Sequence, residues 1–357
     1  MEDRLLHEKI RRNFDKIHVA AFFYYSRMFG VCVKIRMIFM ICIKTERTGG
    51  KQLKNLKIAN SQLEASQIAL GCMRITGLKE IKEVRELVDT AMECGINFFD
   101  HADIYGQGES ERIFGKAVDG IAREKMIIQT KCGIRSGICY DFSKEHILES
   151  VDKSLKRLNT DYVDVLLLHR PDTLMEPEEV AEAFDILEKE GKVRYFGVSN
   201  QNSMQMELLE HYCSQKLIFN QLQFSVAHCD IIDSGLNVNV HNEVGCVRDG
   251  SILEYCRLKE VTIQAWSPFQ YGFFEGVFIG NEKFPELNQM LNELAEKYHV
   301  TSSAVAIAWI LRHPAGIQAI VGSTKKQRIA EICKASEIKL TGEEWYALYM
   351  AAGKKLP

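Results

Sequence analysis

Proline is scarce in this chain. Six prolines among 357 residues exclude a collagenous repeat or a proline-rich architecture. Eleven cysteines are present, but no two stand in a Cys-x-x-Cys spacing, so neither a zinc knuckle nor a redox dithiol is encoded. Several cysteines, such as Cys94, Cys213 and Cys256, fall in segments that read as helices, as reduced thiols used as small core residues do. A large excess of one charge is also missing. The formal net charge of −3 gives no electrostatic reason to bind nucleic acid. Disorder is excluded by composition, with 46% hydrophobic and 26% charged residues.

A long uncharged hydrophobic run is absent as well. Residues 19–44 are strongly apolar, but Arg27, Lys34 and Arg36 interrupt them. The uncharged pieces fall well short of the ~18–20 residues that a membrane-spanning helix needs. No small-residue cleavage site follows, so a secretory signal is not expected. This region differs in charge from the rest. Residues 1–57 hold thirteen Lys/Arg against five Asp/Glu, a net of +8, and the remaining 300 residues carry −11. Residues 1–53 are therefore expected to lie outside the fold, as an extension or the product of a translation start set too far upstream. An in-plane basic anchor touching a membrane through 19–44 is the second reading. Thr48-Gly49-Gly50 marks the boundary, and the fold is expected over 54–357.

From there short β-rich runs alternate with amphipathic helical runs. A polar hairpin-like stretch, LKIANSQLEASQ, leads into a first strand over Gln67–Met73. Ile81, Val84, Leu87, Val88, Ala91 and Met92 recur at helical spacing, and Gly95 stops that helix. Further strands are expected at 96–100, 126–131, 163–169, 193–199, 217–224, 261–267 and 316–322. The run at 163–169 is nearly all apolar in its second half, as a strand covered on both faces would be. Helices are expected between them, with a final one over 341–352. Open doubly wound sheets and closed barrels both use this alternation. No Gly-x-Gly-x-x-Gly follows the first strand, where a dinucleotide-binding open sheet needs it. The count of eight strands favours a (β/α)8 TIM barrel with an N-terminal hairpin and a C-terminal helix.

A barrel of this kind keeps its chemistry on the loops leaving the C-terminal ends of its strands. Strand two ends in FFDHADIYG, strand three in QTKCG and strand four in LLHRP. Asp100, Tyr105, Lys131 and His169 can therefore meet at one rim. Taken singly, each has an ordinary reading: a helix cap, loop packing, a solvated lysine, a structural histidine. Together they suit carbonyl reduction, in which charge develops on oxygen and a proton must arrive there. Tyrosine is a poor acid at its usual pKa of about 10, and a neighbouring ammonium lowers that value. Asp100 would hold Lys131 charged, and His169 would orient the carbonyl.

At these residues the sequence resembles the aldo-keto reductase superfamily. FFDHADIYG, GESERIFGKAV, KCGI, LLLHRPD, GVSN, NQLQFS, QAWSPF and IVGSTKKQR stand in the family's order, from about residue 54 onward. DHADIYG, KCGI and HRPDTLM look most like the bacterial branch of general oxidoreductases. The resemblance implies a catalytic tetrad of Asp100, Tyr105, Lys131 and His169, with Tyr105 as proton donor. It implies NADPH (NADP+) as cofactor, with NADH as the second choice. Ser199, Asn200 and Gln221 would hold the carboxamide, and Trp266 would stack under the nicotinamide. Ser267, Pro268 and Phe269 would follow the pyrophosphate. Gly322, Ser323, Thr324, Lys325 and Arg328 would meet the 2′-phosphate, where orphan N–H groups and the dipole of the last helix favour an anion. Gly71, Cys72 and Met73, at the end of the first strand, and Asp100 count in the cofactor site too. Many members have Lys where this chain has Gly322, which leaves Lys325 or Arg328 to supply the cation.

The resemblance further implies a small carbonyl substrate, a cytoplasmic setting and a monomer or weak oligomer. Phe269, Tyr271, Phe273, Phe274 and Phe278 suggest an apolar pocket mouth. Two other functions compete. One is a nicotinamide-binding sensor or scaffold of the channel-subunit type. The other is a metal-dependent barrel hydrolase, disfavoured because no His-x-His follows strand one and no His-x-x-x-His helix is present. No metal is expected.

Overall fold

A computed structural model of the chain describes residues 53–236 and 251–354. The expectations for residues 1–52, including the apolar basic stretch, lie outside the described residues. Among the described residues no helix is long and apolar enough to cross a membrane.

Eight parallel strands close into a barrel: β1 (Ile68–Gly71), β2 (Phe98–Asp100), β3 (Ile127–Cys132), β4 (Val163–Leu168), β5 (Val193–Ser199), β6 (Leu217–Gln223), β7 (Thr262–Trp266) and β8 (Gln318–Val321). Each pairs with its sequence neighbour, and β8 pairs with β1 through Ala319 and Ile68 to close the ring. The strands sit where the apolar runs put them, with most ends trimmed by a residue or two, β5 unchanged and β3 shifted by one residue to Ile127–Cys132. All six β4 residues are buried, including Asp164, which is paired with Arg123 and Arg194 at the bottom of the barrel.

The hairpin precedes β1, with Asn55–Lys57 antiparallel to Glu64–Ser66. It brings Ile58 and Ala65 against Ala69, Phe98, Val165, Leu167, Phe219 and Ile320 in one buried cluster. These strand residues point into the barrel, so the hairpin plugs its N-terminal end. That leaves the opposite mouth open.

The outer helices are α1 (Ile81–Glu93), α2 (Glu109–Ala117), α3 (Lys144–Leu158), α4 (Pro177–Lys189), α5 (Ser203–Tyr212), α6 (Asp230–Leu236), α7 (Ile252–Leu258), α8 (Pro285–Tyr298), α9 (Ser302–Leu311), α10 (Lys326–Cys333) and α11 (Gly342–Ala351). Their starts follow local chemistry. The Ser143 side chain accepts from the His146 N–H to cap α3, and Pro177 opens α4 where a missing N–H costs nothing. Ile147, Val151, Leu155 and Leu158 form the buried stripe of α3. At the C-terminus the Trp345 ring of α11 stacks on Trp309 of α9 with centroids 4.6 Å apart. Each indole N–H donates to the other residue's carbonyl at 3.0 Å, which fixes α11 to the barrel wall.

Two elements were not anticipated. Residues 134–140 form a small hairpin, Ile134–Arg135 with Cys139–Tyr140, and α6 falls in a stretch with no strong sequence period. The last barrel helix begins only at Lys326. Lys325 is its cap residue, and the Ser323 hydroxyl accepts from the Lys325 N–H at 3.2 Å, making a turn before the helix rather than a cap.

Candidate active site

The open mouth leads into a cleft of about 570 Å³ lined by loops from the C-terminal strand ends. At its floor the tetrad residues come together. The Lys131 side chain is completely buried, and its ammonium lies 2.8 Å from Asp100 Oδ1. It donates to Tyr105 Oη at 3.0 Å and to the His101 carbonyl at 2.7 Å. All three of its protons are therefore engaged. The His169 ring stands edge-on to Tyr105, with centroids 6.0 Å apart.

Local backbone explains this convergence. β2 ends at Asp100, and Tyr105 opens a tight turn over Tyr105–Gly108 in which Gly106 and Gln107 both have positive φ. That turn folds the Tyr105 side chain back over the barrel. After β3 the chain bends sharply at Gly133, with φ +98°. A Cβ there would come within 2.2 Å of the Phe142 ring, so only glycine permits the bend that clears the space above Lys131.

Asp100 is held from the other side as well. The amides of Gln129 and Gln221 donate to its Oδ1 at 2.6 and 3.1 Å. Both also donate to Gln264 at 3.0 Å, Gln264 donates to Gln318 at 2.9 Å, and Gln318 donates to the Ser66 carbonyl at 2.7 Å. A ladder of buried amides thus runs down the barrel interior from the tetrad carboxylate. Behind β3, Thr130 donates to Glu111, which also accepts from Arg157 at 2.7 Å. Asp103 sits near this pair, and burial together with the Glu111 carboxylate pushes it up to about 7.

The protonation pattern follows from burial and Lys131. Burial pushes the Tyr105 phenol above its ordinary value, and Lys131 pulls it back only in part. The expected pull toward neutral pH exists but is the smaller effect, so Tyr105 is a phenol at neutral pH. Burial works against the Lys131 charge, yet Asp100 and Tyr105 outweigh it and the net shift is upward. Burial, then the Lys131 and Arg170 charges, hold His169 well below its usual range, so it is a neutral imidazole. Its Nδ1 is buried without a partner, which leaves Nε2 as the nitrogen available toward the cleft. The site therefore holds one transferable proton on a phenol, beside a fixed cation that would stabilise the phenolate left behind.

Most residues expected at the cofactor site line the same cleft: Gly71, Met73, Asp100, Ser199, Asn200, Gln221, Trp266, Ser267, Pro268, Phe269, Gly322, Ser323 and Arg328. The Trp266 indole donates to Asn200 Oδ1 at 3.2 Å, the Asn200 amide to Ser199 Oγ at 2.8 Å, and Ser199 to the Gln221 carbonyl at 2.9 Å. Asn200 and Ser267 both adopt positive φ, turning their side chains at the strand ends. Three expected residues are not brought there. Cys72 is fully buried, with its thiol turned toward the Leu70 carbonyl, because its N–H is tied to the Asp100 carbonyl. Thr324 and Lys325 lie outside the lining, since the chain turns away at Ser323 before α10 begins.

The aromatic mouth divides in the same way. Phe269, Phe273 and Phe274 line the cleft, Phe278 is fully buried, and Tyr271 packs on Phe284 instead. Sequence reasoning missed Arg74, Ile134, Tyr140 and Arg170 in the lining. Arg170 directly follows His169, and that adjacency was the only signal available.

Comparison with known proteins identifies the family. Residues 67–351 match the model of the Aldo/keto reductase family. The chain is 39% identical over 284 residues to the uncharacterized oxidoreductase YcsN of Bacillus subtilis, covering 75% of this chain and 88% of that protein. It is 33% identical to a 6-dehydroglucose reductase of Novosphingobium aromaticivorans, covering 84% of this chain and 96% of that one. A crystal structure of a thermostable aldo-keto reductase with the inhibitor epalrestat superposes with a TM-score of 0.68 at 26% identity, covering 83% of this chain and 99% of its own. The chain belongs to the aldo/keto reductase family and is an NAD(P)H-dependent oxidoreductase.

Proposed function

We propose that the protein reduces aldehydes or ketones to alcohols with NADPH, and that Tyr105 delivers the proton. The observation that carries this reading is the single ammonium of Lys131, bonded to both Asp100 and Tyr105 at the floor of the cleft. The residues present suit the cofactor. The cleft is continuous from Tyr105 past Trp266 and Ser267–Phe269 to Gly322, Ser323 and Arg328, and it ends in a guanidinium suited to a phosphate. Ser199, Asn200 and Gln221 would hold the carboxamide, and the Trp266 face would carry the nicotinamide. When bound, NADPH supplies the hydride.

The remaining chemistry belongs to the chain. Tyr105 Oη and His169 Nε2 hydrogen-bond the carbonyl oxygen and set its orientation. As negative charge develops on that oxygen, Tyr105 releases its proton to it. Lys131 stabilises the phenolate, and Asp100, gripped by two glutamine amides, keeps the ammonium in place. Trp266, Phe273 and Phe274 give the cleft mouth an apolar lining.

The test follows NADPH consumption with a panel of aldehydes. Tyr105→Phe removes only the transferable proton and should lower kcat by about a hundredfold to ten-thousandfold. Binding of NADPH, followed by Trp fluorescence, should be unchanged. Equal rates in the two proteins, or no activity of the wild type on any carbonyl, would sink the reading.

A further inference from the structure

We propose that Arg170 forms an anion subsite in the substrate pocket, and that the preferred carbonyl substrates carry a carboxylate. This rests on the reductase reading above and specifies its substrate class.

Three arginines line the cleft: Arg74, Arg170 and Arg328. The only carboxylate in the lining is Asp100, which is committed to Lys131 at 2.8 Å. The cleft therefore carries a surplus of positive charge. Arg328 follows β8 and Arg74 follows β1, and these strands are neighbours. Their side of the mouth is where the cofactor phosphates are expected. Arg170 follows β4, which lies across the closed ring from β8. Its charge is therefore placed for a different anion.

Its surroundings are apolar. The guanidinium lies 5.6 Å from the centre of the Trp266 ring and 5.4 Å from that of Phe273. Burial lowers its affinity for the proton, and only the phenols of Tyr140 and Tyr105 oppose that. Among the described residues it has no ion-pair partner. The nearby carboxylates are already used. Asp141 pairs with Arg135, and Asp172 accepts from the backbone N–H groups of Phe142 and Leu174. A half-buried guanidinium offers several donors in a fixed plane that matches a carboxylate with two parallel bonds. It also directly follows His169, so an anion held there stands beside the carbonyl that His169 and Tyr105 would orient.

The experiment compares ortho, meta and para carboxybenzaldehyde with their neutral methyl esters, in the wild type, Arg170→Gln and Arg170→Lys. One charged contact of this kind corresponds to about a tenfold to hundredfold preference. At least one acid should exceed its ester by that factor in kcat/KM in the wild type, mainly through a lower KM. Arg170→Gln should collapse that ratio to about one, and Arg170→Lys should restore part of it. The Kd of NADPH should not follow the ratio. Absence of any acid preference in the wild type overturns the proposal. So does a preference that survives Arg170→Gln, or an equal loss on acid and ester. A loss of NADPH affinity matching the loss of acid preference would assign the guanidinium to the cofactor and also overturn it. Failure of the wild type on every acid and every ester strikes the reductase reading instead.

Discussion

Lys131 and Asp100 are both withdrawn from water, at 0% and 4% side-chain exposure, and stand 2.8 Å apart. Each neutralises a charge that would otherwise be stranded in the barrel, so the effects of removing them cannot add. Asp100→Asn leaves a buried ammonium with neutral acceptors and no counter-charge, and it should cost about 3–5 kcal/mol of stability. Lys131→Met leaves a buried carboxylate that still accepts from Gln129 and Gln221, which places it at about 3 kcal/mol, the lower end of that range. Independent losses would sum to about 6–8 kcal/mol in the double variant. Removing both charges together strands neither, so the double variant should lose only about 2–4 kcal/mol, a coupling of at least about 2 kcal/mol. Urea unfolding followed by far-UV circular dichroism measures all four proteins. Additive losses would refute the reasoning, because they would mean that the ammonium and carboxylate are each solvated or satisfied without the other.

Three further outcomes follow from the same site. Burial, then the Lys131 charge, hold His101 down to about 3, and neither of its ring nitrogens has a partner. Its folded value lies below the unfolded one of about 6.5, so the stability of the neutral form is complete above that pH and is lost as pH falls toward 3. The slope is about 1.4 kcal/mol per pH unit, so urea midpoints should fall steeply between about pH 6.5 and about pH 5. His101→Leu should flatten that fall, and an unchanged pH dependence would contradict the assignment. His169 titrates in the same direction, so part of the slope will remain. Arg328→Ala should raise the Kd of NADPH about tenfold and leave that of NADH nearly unchanged, as fluorescence titration would report. Equal weakening of both cofactors would place Arg328 away from the 2′-phosphate.

The convergence of the four residues expected to form the tetrad was largely legible in the sequence, because barrel closure needs only the strands and apolar runs mark those strands. Once eight were counted, Asp100, Lys131 and His169 had to share a rim, and the turn at Tyr105–Gly108 folds Tyr105 back to join them. The residues expected at the cofactor site on strand ends were placed for the same reason: Ser199, Asn200, Gln221 and Trp266 all line the cleft. The misses lie just past the strand ends, where one backbone turn decides direction. Cys72 was expected with Gly71 and Met73, but adjacent residues leaving a strand point opposite ways, and Cys72 packs with Leu70, Val84 and Leu87 in the layer between strands and helices. Lys325 was expected with Ser323, but the Ser323 turn precedes α10, and Lys325 lies outside the cleft lining. Gln129, Gln264 and Gln318 carried no signal at all, since a glutamine inside a strand reads as a solvated position. Only closure of the ring sets these amides against one another and under Asp100. Arg170 was invisible for the converse reason. A sequence shows where an arginine stands, but what surrounds its guanidinium depends on residues far along the chain, Trp266 and Phe273 among them. Reaction class is thus encoded at strand ends and readable from pattern. The anion subsite proposed at Arg170 rests on what the loops leave unpaired, and it becomes readable only when those partners can be counted.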